Sequence, residues 1–283
     1  MSKVIITSDS TSDLSPAIIE DLNIQIIPLY INVGENSYKD GIEITPTEIF
    51  EGFDKDGVLP RTSAIPFYDL KVSFENLLNE GYEIIHFSIS SFFSSTHQNA
   101  VNAANELDPN KITLIDSLNL STGIGHLVMR AAELAREGLS RDEIVKEIQA
   151  LIPKVNASFV IDTLTYLWKG GRCSGLAAMG ANLLQLKPCI EVVDGTMKVG
   201  KKYRGSLDRC LNAYVDEKLT YLDKINPKRI FISHTSQDEE LVVRIKERIE
   251  SKNYFEEVIV STAGGTISCH CGPDTLGIIY IEK

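Results

Sequence analysis

Six of the nine residues from Ser88 to Thr96 carry hydroxyls: Ser88, Ser90, Ser91, Ser94, Ser95 and Thr96. They follow an apolar run, Glu83 to Phe87, that reads as a buried strand handing over to a helix opening near Ser95. In an open α/β sheet the ligand sits beyond the carboxyl end of such a strand. The first turn of the helix adds unpaired N–H groups and a partial positive charge, so hydroxyls gathered there complete a small anion site. The run contains neither lysine nor a glycine-rich turn, which excludes a phosphate loop and leaves a compact, singly charged carboxylate.

Two other places repeat the signature. Lys3 to Thr7 reads as a strand that ends in Ser8-Asp9-Ser10-Thr11-Ser12, and Thr62-Ser63 lies between Pro60 and Pro66, an arrangement in which all three clusters could meet at one sheet edge. Helix capping is the competing explanation, and Ser15 before Pro16 is read as a cap, but one helix needs only one cap. A fourth run, Ser261 to Thr266, brings a glycine pair and leads into Cys269-His270-Cys271-Gly272-Pro273. Read as extended, that segment points Cys269 and Cys271 one way and His270 the other, so the three cannot share an ion and no metal is expected. His270, beside the glycine pair and a Gly-Pro turn, is a candidate to face the ligand. A serine hydrolase or acyltransferase using Ser94 and His270 is the alternative, although Phe92-Phe93-Ser94-Ser95-Thr96 stands where the Gly-x-Ser-x-Gly elbow is required.

Two cationic features remain. Gly170-Gly171-Arg172-Cys173-Ser174-Gly175 lacks the lysine and glycine spacing of a nucleotide loop and reads as a turn before a helix over Leu176 to Leu186. Arg172 there is either a structural ion-pair partner or a contact for a partner protein. Lys198, Lys201, Lys202 and Arg204 place four positive charges on one hairpin, either a solvated face or a patch that steers an acidic partner.

The elements that must position these groups fall into two patterns. Lys3 to Thr7, Ile24 to Tyr30, Glu83 to Phe87 and Ile112 to Ile115 read as strands alternating with amphipathic helices, whose stripes are Phe67, Leu70, Phe74, Leu77 and Ala100, Val101, Ala104, Leu107. Thr45 and Ser140 open capping boxes, and Gly34-Glu35-Asn36 turns a hairpin within Ile31 to Ile44. The expected fold class is α/β: an N-terminal parallel-sheet, three-layer, Rossmann-like domain over 1–153, and an α+β domain with a mixed or antiparallel sheet over 154–283. Strands are expected at Ser158 to Ile161, Cys189 to Val193, Thr196 to Tyr203, Arg229 to Ser233, Glu257 to Ser261 and Thr275 to Ile281, with helices at Leu207 to Leu222 and Glu239 to Ile249. Asp194-Gly195 marks a two-residue hairpin.

At 283 residues and 43% hydrophobic content the chain can bury a sizeable core. A net charge of −11 argues against nucleic acid and against nonspecific attachment to anionic lipid. Five irregularly spaced cysteines suit reduced thiols, and the absence of a membrane-spanning run or signal-peptide pattern suggests a cytoplasmic protein.

In order along the chain, Ile6-Thr7-Ser8-Asp9-Ser10-Thr11-Ser12-Asp13-Leu14, Arg61-Thr62-Ser63 with Pro66, Ser90-Ser91-x-x-Ser94, Asp116-Ser117, Gly170-Gly171-Arg172 and His270-x-Gly272-Pro273 resemble the pattern of the DegV family of bacterial fatty-acid-binding proteins. The resemblance implies that Thr62 and Ser94 bind the carboxylate of a long-chain fatty acid, with His270 close by and Ser95 adding a side chain near the anion. It implies no other cofactor. It also implies a carrier that presents its fatty acid to a separate ATP-dependent kinase, with at most transient membrane contact, and Arg172, Lys201, Lys202 and Arg204 are then candidates for docking that partner. The family usually has glycine where this chain has Ser95 and Asp274, and an aromatic residue in place of His97.

Overall fold

The computed structural model describes residues 3–173, 186–235 and 238–283. The first half comprises β1 (Lys3–Asp9), α1 (Pro16–Asp21), β2 (Gln25–Ile27), β3 (Tyr30–Val33), β4 (Asn36–Lys39), α2 (Pro46–Asp56), β5 (Arg61–Ser63), α3 (Phe67–Asn79), β6 (Tyr82–Ser88), α4 (Thr96–Asn105), β7 (Ile112–Asp116), α5 (Thr122–Arg136) and α6 (Arg141–Leu151). The second comprises β8 (Val155–Val160), α7 (Thr165–Gly170), β9 (Leu186–Val193), β10 (Thr196–Arg204), α8 (Leu207–Lys218), β11 (Ile225–His234), α9 (Glu239–Glu250), β12 (Glu257–Thr262), α10 (Gly265–Cys271) and β13 (Leu276–Glu282).

Strands β2-β1-β6-β7 form a parallel sheet in that order, and β10-β9-β8-β13-β11-β12 form a mixed sheet whose only parallel pair is β11 with β12. Alternation of side chains assigns each face. Ile5 and Ile84 join the core under α3 and α4, whereas Ile6 and Ile85 turn the other way, into the largest core, which also takes in Leu127 of α5. That same core receives Phe159, Phe231 and Ile279 of the mixed sheet, while Val160, Ile230 and Ile232 face α8 and α9 on its far side. Helix α5 is buried almost all round because it lies between the two sheets.

The expected strand over Ile24 to Tyr30 is two strands in different sheets. Pro28 separates them, since it has no N–H to continue a ladder, and β3 instead pairs with β4 and β5 in a small antiparallel sheet. Both capping boxes form, at Thr45 and Ser140. Asp194 and Gly195, both at positive φ, turn β9 into β10. The helix expected to Leu222 stops at Lys218 and is followed by one 3-10 turn, Leu222–Lys224. Helices α7 and α10, of six and seven residues, are too short to leave a periodic signal, and the segment Cys269 to Cys271, read as extended, lies in α10. The helix expected over Leu176 to Leu186 lies outside the described residues, apart from Leu186, which opens β9.

Candidate functional site

The order β2-β1-β6-β7 places the topological switch point between β1 and β6. There the carboxylate of Asp9, at the end of β1, accepts hydrogen bonds from the Thr11 amide and hydroxyl and from the Ile89 amide, tying the loop after β6 to β1. Burial raises the Asp9 carboxyl to about 6 despite these bonds. Beyond this junction a cavity of about 50 Å³ is lined by Thr62, Ser63, Ser94, Thr266, His270 and Arg172 on its polar side and by Leu29, Ile89, Phe93, Leu120, Met197, Ile267 and Cys271 on its apolar side. A second void of about 20 Å³ lies deeper, and Leu120, Ile267 and Cys271 line both, forming the partition between them.

The polar end is assembled from three elements. Thr62 stands on edge strand β5, opposite Ile31 of β3. Its hydroxyl lies 2.8 Å from His270 Nε2. His270 belongs to α10, whose first N–H groups are held by two buried aspartate side chains: Asp13 accepts from Gly264, and Asp40 from Gly265 and Thr266. Burial, with the nearby Arg172 cation, lowers His270 to about 4, so the ring is neutral at ordinary pH. Its Nδ1 is buried without a partner against Gly170, the last residue of α7, where an added Cβ would lie 2.3 Å from that nitrogen. Gly171 then ends α7 in the left-handed region, φ 69°, which sends Arg172 toward the cavity rim. Ser94, just before α4, lies 2.9 Å from the Thr96 hydroxyl and accepts from the Thr96 amide.

Thr62, Ser94, His270 and Arg172 therefore line one cavity. Ser95 does not: it is exposed, makes no side-chain capping bond and lines neither void. The Ser8 to Ser12 cluster does meet the Ser88 to Thr96 run at the adjoining ends of β1 and β6, but it stands outside the cavity. Ser10 bonds Asp40 and accepts from the Leu29 amide, Ser90 donates to the Gly195 carbonyl, and none of Ser8 to Ser12 lines the cavity. These hydroxyls wire the loops that hold the site. In the helical Cys269-His270-Cys271 segment the thiols also separate: Cys269 packs with Ile31, Phe50 and Tyr166, and Cys271 joins the largest core. Burial pushes both thiols up to about 12. Nor do Ser94 and His270 form a hydrolytic pair, since the imidazole bonds Thr62 and no carboxylate orients its Nδ1.

Thr62, Arg172 and His270 also line a surface groove of about 740 Å³, together with Arg61, Lys169 and the 61% exposed Trp168. They stand where the cavity meets that groove. Among the described residues the Arg172 guanidinium touches carbonyl oxygens, of Gly170 and Phe93, and forms no ion pair, so its structural ion-pair reading does not hold. The basic hairpin is less uniform than its sequence. A bulge between Val199 and Lys202 changes the facing of β10, Lys201 pairs with Glu217 of α8 at 2.5 Å, and β10 is an edge strand, where lysines and bulges guard against pairing with other chains.

Residues 3–283 match the DegV family, described as uncharacterised proteins of that family. A DegV domain-containing protein of Caldanaerobacter subterraneus is 34% identical over 284 residues, covering 100% of each chain. The chain belongs to the DegV family. A fatty-acid-binding DegV protein from Thermus thermophilus has the same fold, with a TM-score of 0.90 at 30% identity over 99% of this chain and 100% of that one. A stearic-acid-binding protein from Eubacterium ventriosum gives 0.88 at 26% identity, over 100% and 99%. The departures from the usual DegV pattern have local explanations: Asp274 occupies φ 55°, where a glycine is at ease, and His97 bonds the Ser88 hydroxyl at 2.8 Å. Sequence reasoning missed Leu29, Leu120, Met197 and Ile267 as cavity lining; each is an ordinary core residue by pattern, and only its place beside the polar cluster distinguishes it. It also passed over Thr266, visible only as one member of a hydroxyl run.

Proposed function

We propose that this DegV protein binds a long-chain fatty acid, with the carboxylate at Thr62 and Ser94 and the tail directed past Leu120, Ile267 and Cys271. The observation that carries the reading is the Thr62 hydroxyl held by neutral His270 at the point where an apolar cavity opens to a cationic groove. A buried N–H without a partner costs more than a buried lone pair, so the preferred tautomer carries its proton on Nε2. His270 then donates to Thr62, and the Thr62 proton is free for the ligand. With Thr96 donating to Ser94, the Ser94 proton is free in the same way.

Burying about fifteen methylenes at ~0.8 kcal/mol each gives roughly 12 kcal/mol, from which association and ordering remove ~4–15 kcal/mol. Hydrogen bonds to the charged head, at ~1.5–3 kcal/mol each, decide whether binding is useful. The tail supplies most of the affinity and the hydroxyls set its register. The void of about 50 Å³ holds a few waters at ~10–15 Å³ each, so the walls must part for a tail.

The reading is of a carrier and not a hydrolase. Residues 1–153 would supply the hydroxyls and 154–283 the rest of the pocket. Hydroxyls orient a carboxylate without neutralising it as an arginine fork would, leaving an oxygen available for phosphorylation by a separate kinase. That partner would approach the groove, contacting Arg172, with Lys202 and Arg204 as a further cationic contact. Displacement of a fluorescent fatty acid tests the proposal. Long-chain acids should compete, their methyl esters should compete poorly, and Thr62→Ala with Ser94→Ala should erase the difference. Equal competition by acid and ester in the wild type would refute the carboxylate assignment, and a product burst from an activated acyl ester with an adduct on Ser94 would reinstate the hydrolase.

A further inference from the structure

Helix α10 presents two kinds of side chain to the cavity. Ile267 and Cys271, four residues apart, line both voids; Thr266 and His270, also four apart, line only the first. Residues so spaced stack on one helix face, so α10 turns an apolar stripe to the tail and a polar stripe to the head. His270 also lines the outer groove and Thr266 does not, which sets Thr266 about one helical turn, ~5.4 Å, further in than His270. The Thr266 hydroxyl is buried and has no hydrogen-bond partner among the described residues. Its backbone amide is already committed to Asp40, so what remains unsatisfied is the side chain alone. Thr62 and Ser94, by contrast, have protein partners for their hydroxyls. A buried hydroxyl left unpaired is destabilising, and a valine of the same shape would avoid the cost.

We propose that Thr266 is a further ligand-binding residue, and that its hydroxyl receives a hydroxyl carried within the first few carbons of the acyl chain, so that the protein favours hydroxylated long-chain acids. The proposal rests on the fatty-acid reading above. A hydroxyl group on the ligand can both donate to and accept from Thr266, whereas a plain methylene at that depth leaves it unpaired. Recognition of one hydroxyl by a group that otherwise has no partner is the arrangement that discriminates best, because the cost falls on the ligand that lacks it.

The test compares 3-hydroxyhexadecanoate with hexadecanoate on the wild type and Thr266→Val, by displacement of a fluorescent fatty acid, with thermal melts of both proteins. The wild type should prefer the hydroxy acid by about five- to tenfold. Thr266→Val should lose that preference and melt no lower than the wild type. A wild type that binds both acids equally, a preference that survives in Thr266→Val, or a variant that melts several degrees lower each overturns the role of Thr266. A wild type that binds neither acid nor the fluorescent probe overturns the fatty-acid reading and this role with it.

Discussion

Gly170→Ala should disable the proposed carboxylate site without substituting any residue assigned to it. Gly170 does not lie in the left-handed region, so alanine suits its backbone, and the whole effect is steric. The new Cβ would sit 2.3 Å from His270 Nδ1, where ordinary contact begins at 3.4 Å, so the ring must retreat by about 1.1 Å (3.4 minus 2.3). A retreat of that size, away from Gly170 and toward Thr62 or by turning the ring, cannot leave the 2.8 Å bond from Nε2 to Thr62 in its present geometry. The lost bond costs ~1 kcal/mol and the overpacking ~1–3 kcal/mol, for roughly 2–4 kcal/mol in all. At ~2–4 °C per kcal/mol the melting temperature falls by roughly 5–15 °C. Fatty-acid affinity falls about tenfold, the equivalent of ~1.4 kcal/mol from a misdirected Thr62 hydroxyl, whereas a fatty alcohol should bind nearly as before. Gly171→Ala is the control: φ is 69° and nothing lies within 4 Å of the added Cβ, so it should cost ~1 kcal/mol of stability and leave affinity alone. Wild-type melting and affinity in Gly170→Ala, or an equal loss of affinity in Gly171→Ala, would refute the reasoning.

Other outcomes follow from the same geometry. Thr62→Ala and Ser94→Ala should each weaken fatty-acid binding about tenfold, an equivalent of ~1.4 kcal/mol; calorimetric titration showing no loss in either removes them from the head-group site. Stability should peak between about pH 6 and 7. His86 and His126 at about 3 and His270 at about 4 bind protons more weakly than their ordinary 6.5, so their contribution is lost as pH falls below that value; Asp9 at about 6 and Asp13 at about 8 bind protons more strongly than their ordinary 3.8, so theirs is lost as pH rises through 4 to 8. Between about pH 4 and 6 three histidines outweigh two aspartates, and above 6.5 only Asp13 is left, so melting temperatures that climb steadily from pH 6 to 8 would contradict this balance. Lys201→Glu should cost less than ~1 kcal/mol, because its pairing with Glu217 is exposed, and coupling to a kinase should respond more to Lys202→Glu and Arg204→Glu; salt-insensitive coupling with both silent leaves the hairpin as edge protection.

Elements with a strong local signal were legible in the sequence. The strands β1, β6 and β7, the capping boxes at Thr45 and Ser140 and the Asp194-Gly195 turn each carry their cause within a few residues. Helices α7 and α10 do not: at six and seven residues their identity comes from tertiary contact, with Asp13 and Asp40 gripping one end of α10 and Gly170 admitting its histidine. The glycines at 170 and 171 read as a turn, yet the first serves a close approach and the second a helix end. At the site, Thr62, Ser94 and His270 were visible as chemistry. Ser95 was drawn in by its neighbours, and the Ser8 to Ser12 run shares the sheet edge but lines none of the cavity. The apolar lining could not be read, because a residue facing a cavity and one facing the core have the same pattern.

The most direct test of the fatty-acid reading is native mass spectrometry of protein purified from a bacterial host without added lipid. Apolar cavity walls are costly to leave wet, and the host supplies acids whose tails recover several kcal/mol by packing between them. The spectrum should show the excess mass of one long-chain fatty acid per chain, which denaturing extraction releases and identifies. A ligand-free spectrum, followed by no uptake of any fatty acid from short to long, would contradict it.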